Sequence, residues 1–220
     1  MVLGEYITSV QLSIFNFRMS ASSNQEFESF RENKHIPKVI EEEVLKALSF
    51  YPELQKTHIN FVFKQNIKKS VMQAQPDFKT IFNGKDKRVY NINISALFKL
   101  TTTAIPIHQI PKDIMVGWIG HELGHVMDYK NRSVLGMASF GLGYLLSANY
   151  VKKAEKVADT FAVGHGLGSY ILQTKHFILN HADLSEKYKS KIARLYLSPD
   201  DIVEQVRIFE LKQIEDLKTT

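Results

Sequence analysis

The chain has 220 residues, of which 44% are hydrophobic and 23% are charged. These values fit one globular domain with a sizeable core. The net charge is +5, but the lysines are spread along the chain without an arginine-rich arm or an aromatic-basic repeat, so we expect no binding to nucleic acid. The chain has no cysteine, which excludes disulfide frameworks, thiolate metal sites and cysteine nucleophiles.

The first residues, MVLGEYITSVQLSIFNF, are apolar but are interrupted by Glu5, Gln11 and Asn16. They lack the basic start and the clean apolar run that are typical of a signal peptide. We therefore expect a cytoplasmic protein, and a leader removed before this start stays open as the alternative.

Residues 1–110 are expected to form a subregion of helix and small sheet. One or two short strands or an apolar arm are predicted in residues 1–20, and a weakly defined helix at 25–35. Pro37 opens a stronger helix that runs to about Tyr51, because its apolar residues recur at helical spacing.

Four strands are predicted after this helix, at His58 to Phe63, Ser70 to Ala74, Phe78 to Phe82 and Arg88 to Ser95. The last strand, RVYNINIS, alternates polar and apolar side chains. One polar face is typical of a strand that is half open to solvent, so we expect this strand at an edge of the sheet.

Residues 111–220 are expected to form a helical subregion that carries the functional site. Pro111 and Asp113 open a helix that is predicted to run to about Tyr129 and to be buried through its apolar stripe. Further helices are predicted at about 148–163, 169–181, 185–196 and 199–217. No linker separates the two subregions, which predicts a single α+β domain over residues 1–220.

Residues 134–148, VLGMASFGLGYLLSA, carry no charged side chain. The run is shorter than the roughly 20 residues that a helix needs to span a bilayer. We predict a buried or interfacial helix here, and membrane insertion is the less favoured alternative.

The motif His121-Glu122-Leu123-Gly124-His125 is the only HExxH pattern in the chain. Two histidines four residues apart differ by about 40° around a helix, so both side chains leave the same face and can bind one tetrahedral Zn²⁺. Glu122 lies beside them and can act as general base on a water that the metal activates. The motif indicates a zinc hydrolase, most often a metallopeptidase, and a chance match on an ordinary helix is the alternative.

A catalytic zinc site needs a third protein ligand and an open position for water. Asn131 occupies the position at which metzincins have a histidine or aspartate, so the chain does not follow that pattern. Glu155 on a later helix is the candidate ligand, and Asp159 on the same face could accept a hydrogen bond from a ligand histidine. The alternative is that both acids are surface charges among the neighbouring lysines.

HELGH followed by AEKVADTFAVGHGLGSYIL resembles the gluzincin metallopeptidases, in particular the zinc proteases related to HtpX and the CAAX-processing proteases. The resemblance covers about residues 113–175. It implies a zincin-like fold in which a small N-terminal mixed sheet precedes the active-site helix, and an extended substrate pairs with an edge strand, for which RVYNINIS is the candidate. The site residues that it implies are His121, His125 and Glu155 as Zn²⁺ ligands, Glu122 as general base, and Asp159 as the partner of a ligand histidine.

The sequence therefore predicts a zinc-dependent metalloendopeptidase that acts on a peptide or protein substrate. Two alternatives stay open: a catalytically inactive zincin-like binding protein, and a peripheral membrane protein that acts through residues 134–148. The membrane members of the family carry long apolar spans, so we expect a soluble or peripheral relative. Candidates for stabilising the oxyanion are Tyr170, Tyr188 and Tyr196.

Overall fold

The computed structural model of the protein describes residues 27–65, 67, 70–98, 105–180 and 184–219. The strands predicted in residues 1–20 lie outside these ranges. The described chain has a mixed α+β fold in which a four-stranded sheet comes first and the helical half follows. The strands of this sheet are β1 (Lys34–His35), β2 (His58–Lys64), β3 (Met72–Pro76) and β4 (Val89–Ser95).

The described helices agree with the predicted pattern in the second half of the chain. They are α1 (Glu41–Ser49), α2 (Lys112–Asn131), α3 (Val134–Leu146), α4 (Ala148–Ala162), α5 (Gly168–Asn180), α6 (Glu186–Leu195) and α7 (Pro199–Thr219). A small hairpin of β5 (Leu97–Phe98) and β6 (Ile105–Pro106) stands between the sheet and α2.

The prediction that RVYNINIS lies at an edge of the sheet is wrong, because β4 is a central strand. The strand order is β1-β2-β4-β3, with β2 parallel and β3 antiparallel to β4. The polar face of β4 is also covered: Asn93 and Ser95 are buried, and the Asn91 side chain accepts a hydrogen bond of 3.0 Å from Asn60 Nδ2. Pairing on both sides therefore outweighs the alternating pattern, and among the described strands β3 is the edge strand next to β4.

The strand predicted at Phe78 to Phe82 is also wrong. The Asp77 side chain accepts a hydrogen bond from the backbone N–H of Lys79 and starts a short 3-10 turn. Phe78 and Phe82 are consequently left 73% and 81% exposed.

The weakly predicted helix at 25–35 ends earlier than expected. A 3-10 segment at Ser29–Arg31 ends the helical conformation, and β1 begins at Lys34. Asn33 has a φ of 60° between them, which redirects the chain into the sheet.

Helix α2 lies at the centre of the helical half, and its predicted apolar stripe is buried. Two of its glycines allow neighbouring helices to approach closely. A Cβ atom at Gly117 would lie 2.5 Å from the carbonyl oxygen of Tyr170 on α5, and one at Gly124 would lie 2.4 Å from that of Ala158 on α4. These contacts bring α4 against the HELGH turn.

Two serines separate α3 from its neighbours. The Ser133 side chain accepts a hydrogen bond from the N–H of Gly136 at the start of α3. Ser147 does the same for Tyr150 at the start of α4. Both serines cap the following helix, so the uncharged run forms a helix of its own.

Helix α4 ends in a turn at Val163–Leu167, where Gly166 has a φ of 87°. A positive φ favours glycine, and it turns the chain into α5. Within the residues that the structure describes, no helix combines the length and the apolarity needed to cross a membrane.

Candidate metal centre

The two HELGH histidines and Glu155 form one buried cluster between α2 and α4. His121, His125 and Glu155 are each 5–6% exposed. The Nε2 atoms of His121 and His125 lie 3.1 and 3.4 Å from the same carboxylate oxygen, Oε2 of Glu155. In the described part of the chain this is the group of histidine and acidic side chains that could hold a metal ion.

The donor set fits zinc. Ligand atoms about 2.0–2.1 Å from a tetrahedral zinc are about 3.3 Å apart, close to the two nitrogen–oxygen distances observed. Two imidazoles and one carboxylate leave a fourth position open, as catalytic zinc sites require. The same contacts also form a hydrogen-bonded ion cluster without a metal.

Asp159 orients one of the two histidines. Its Oδ1 atom lies 2.8 Å from His121 Nδ1, which leaves Nε2 free to face Glu155. Nδ1 of His125, in contrast, is buried without a hydrogen-bond partner among the described residues. Aromatic packing surrounds that ring instead, with the Tyr129 ring stacked at 6.0 Å.

The second oxygen of Asp159 joins two further segments to the cluster. Asp159 Oδ2 accepts a hydrogen bond of 2.9 Å from Lys175 Nζ on α5 and one of 3.0 Å from the Leu197 N–H between α6 and α7. Lys175 is only 5% exposed, and its ammonium group also lies 4.1 Å from the centroid of the Tyr196 ring. No sequence pattern marks Lys175 as a residue of the site, because a lysine in a helix ordinarily faces solvent.

The charges of the cluster shift its titration. Burial lowers the pKa of His121, but the carboxylates of Asp159 and Glu155 outweigh burial and raise it to about 10. Burial raises the pKa of Glu155, but His125 and His121 outweigh it and hold that pKa well below its ordinary value. At neutral pH the metal-free centre therefore holds a proton for which a metal ion must compete.

Glu122 lies between the centre and the edge strand β3. Its Oε2 atom accepts a hydrogen bond of 2.6 Å from the N–H of Ala74. Burial raises the pKa of this carboxyl group, and the nearby His125 and His121 oppose the shift. A buried carboxylate with a raised pKa is suited to general-base catalysis near neutral pH.

The pairing of β3 explains why Ala74 faces Glu122. Val71 and Asp77 form main-chain hydrogen bonds of 2.8 Å with β4. Between them, the main-chain N–H and C=O groups of alternate residues face β4. The main-chain groups of Ala74 face the other way, and its carbonyl oxygen accepts a hydrogen bond of 3.4 Å from Tyr129 Oη on α2. The outer edge of β3 thus runs beside Glu122, and the outward main-chain groups of Ala74 are bonded to Glu122 and Tyr129.

Tyr144 is a residue of the centre that the sequence analysis missed. Its hydroxyl group donates a hydrogen bond of 3.0 Å to Oε1 of Glu155, the carboxylate oxygen that does not face the histidines. Tyr144 belongs to α3, in residues 134–148, and the prediction for this run depended on its lack of charged side chains. The one signal available was that this run contains a single phenol among apolar and small residues.

The three tyrosines proposed from sequence lie in different surroundings. The Tyr196 ring is centred 5.2 Å from the His121 ring, and Tyr188 is buried on α6. Tyr170 instead packs its ring against Phe50 and the Lys46 ammonium group. The structure therefore places Tyr196 at the centre and directs the ring of Tyr170 toward α1.

Comparison of the chain with protein-family models, with curated proteins and with solved structures gives no match.

Proposed function

We propose that the protein is a zinc-dependent metalloendopeptidase of the gluzincin type, with a zincin-like arrangement of edge strand, HExxH helix and glutamate helix. One observation carries the proposal. The Nε2 atoms of His121 and His125 converge on one oxygen of Glu155 at distances that suit a shared zinc ion.

Each residue then has a chemical role. Bound zinc would lower the pKa of a water molecule and polarise the scissile carbonyl group. Glu122 takes the proton from the water and delivers it to the leaving amine, and its raised pKa suits both transfers. Asp159 fixes the orientation of His121, and Tyr144 holds the second oxygen of Glu155.

The substrate class follows from the position of β3. An extended peptide can add to a free sheet edge through main-chain hydrogen bonds. The outer edge of β3 runs beside Glu122, so a peptide that displaced the bonds of Glu122 and Tyr129 to Ala74 and paired there would bring its backbone carbonyl groups to the general base. In this proposal β3 takes the place that the sequence analysis gave to RVYNINIS.

Metal analysis and proteolysis of a generic substrate such as casein test the proposal on four proteins. The wild type should bind about one zinc per chain, Glu155→Ala should lose it, and Glu122→Gln should keep it without hydrolysing casein. Glu210→Ala is the matched control, because it removes an exposed glutamate on α7 and should change neither property.

Three results would contradict the proposal. Full zinc occupancy in Glu155→Ala would refute the ligand assignment. Equal hydrolysis by Glu122→Gln and the wild type would refute the general base. A wild type that binds zinc but cleaves no peptide bond would favour the zincin-like binding protein over the peptidase.

A further inference from the structure

Helix α3 presents a face of leucines to solvent. The side chains of Leu135, Leu142, Leu145 and Leu146 are 60–83% exposed. These four positions fall within about 100° of arc around the helix. The opposite side of α3 carries Met137 and Phe140, both buried in the core.

Basic side chains lie near both ends of α3. Lys152 and Lys153 are exposed in the first turns of α4, directly after α3. At the other end of α3, Lys85 in the loop between β3 and β4 donates a hydrogen bond of 3.1 Å to the carbonyl oxygen of Asn131. The same loop carries exposed Lys79 and Lys87.

The loop adds apolar side chains of its own. Phe78 and Phe82, in the same stretch as these lysines, are large aromatic residues that are 73% and 81% exposed. Arg88 at the end of the loop donates a hydrogen bond of 2.7 Å to the carbonyl oxygen of Arg132, so the loop is attached to the turn before α3. Exposed apolar groups and lysines are therefore combined at both ends of the helix.

We propose that the leucine face of α3 docks on the surface of an anionic lipid bilayer. Exposed apolar side chains beside lysines suit binding at a bilayer surface, where the apolar groups are buried below the headgroups while the lysines attract anionic lipid. A helix of 13 residues is about 20 Å long and lies along the surface, because the hydrocarbon core is about 30 Å thick. The charge of the flanking lysines is what selects an anionic bilayer over an apolar protein groove.

Docking would place the metal centre close to the membrane. Tyr144 leaves the inner side of α3 and bonds to Glu155, so the docking helix also contacts a candidate metal ligand. The docking proposal does not depend on hydrolysis, since vesicle binding can be measured without any activity.

Co-sedimentation with vesicles tests the proposal on the full chain. The wild type should bind phosphatidylcholine vesicles that contain phosphatidylserine, and binding should weaken with added salt and without the anionic lipid. Leu145→Glu should reduce the bound fraction by about tenfold or more, because a charge replaces an apolar group at the interface. Leu211→Glu is the matched control, since that leucine is 53% exposed on α7 and should bind as the wild type does.

A second pair of variants tests the charge. Lys152→Glu together with Lys153→Glu should weaken binding to anionic vesicles, and Lys38→Glu, at an exposed lysine distant in sequence, should not. Equal binding by Leu145→Glu and Leu211→Glu would overturn the proposal. A wild type that ignores anionic vesicles would overturn it as well, as would a dimer in light scattering that Leu145→Glu dissociates, since a second copy would then occupy the face.

Discussion

Helices α2 and α3 follow each other in the chain, and both are rich in apolar residues and glycine, yet they are placed in opposite ways. Helix α2 is buried along most of its length, including the polar side chains of HELGH. Helix α3 buries only Met137 and Phe140, although it carries no charge. Apolar content alone does not decide which of two helices enters the core.

The glycines account for much of the difference. Gly117 and Gly124 on α2 lie against the backbones of α5 and α4. Because glycine has no side chain, these two helices can pack closely on α2. On α3, a Cβ atom at Gly141 would meet no other atom within 4 Å. Close approach then allows α2 to bury ionisable groups, because His121 and His125 meet a carboxylate on α4, while Glu122 accepts a hydrogen bond from the main chain of β3.

The largest expected effect comes from breaking that pairing at Asp159. Asp159→Asn leaves the buried Lys175 ammonium group without its counter-charge and should lower the free energy of unfolding by about 3–5 kcal/mol. Adding Lys175→Met should recover most of this loss, because the unpaired charge is then absent. Chemical denaturation of the two variants and the wild type measures both changes.

Asp159 orients His121 and also balances the charge of Lys175, and zinc affinity distinguishes these two roles. Both variants lose the carboxylate partner of His121, so both should bind zinc about 10–100-fold more weakly, even after stability is recovered. Wild-type affinity in the double variant would show that Asp159 only balances Lys175.

A smaller effect is expected from the glycines, where the same substitution can be made in both helices. Gly124→Ala places a Cβ atom 2.4 Å from the Ala158 carbonyl oxygen and should cost about 1–3 kcal/mol of stability. Gly141→Ala lies in open space and should gain about 0.5–1 kcal/mol, because alanine favours the helix. Urea unfolding of the two variants checks the contrast, and a stabilised Gly124→Ala would contradict it.

The smallest effect tests the hydrogen bond by which Tyr144 on α3 contacts the metal centre. Tyr144→Phe removes the hydrogen bond to Glu155 and should weaken zinc binding by about tenfold, the worth of a hydrogen bond to a charged group. Tyr150→Phe is the control, since that ring packs on Phe140 at 5.6 Å and its position does not depend on the hydroxyl group. An unchanged affinity in Tyr144→Phe would mean that α3 only covers the centre.

Local patterns predicted the parts of the fold that depend on neighbours in sequence. Helical spacing and capping residues identified α2 and the four helices that follow α3, and the HExxH spacing identified the two histidines that the structure brings together. Glu155 and Asp159 could also be found, because their spacing puts them on one helix face.

Features that depend on distant segments were missed or wrong. The central position of β4 follows from pairing with β2 and β3 on both sides, which an alternating pattern does not encode. Lys175 and Tyr144 reach the centre from α5 and α3, at 16 and 11 residues from their partners, with no repeat or motif to mark them. Such contacts arise from helix packing. Glycines permit this packing, but the sequence does not show which helix will pack against them.

The carboxylate of Asp159 has a consequence for the order in which the protein is completed during synthesis. Its three hydrogen-bond donors come from α2, from α5 and from the main chain at Leu197. A nascent chain that has emerged only as far as α5 already contains His121, His125 and Glu155, but it lacks the donor at Leu197. The buried carboxylate is therefore fully bonded only after the turn between α6 and α7 has been added, so completion of the metal centre depends on a segment that follows Asp159 by 38 residues.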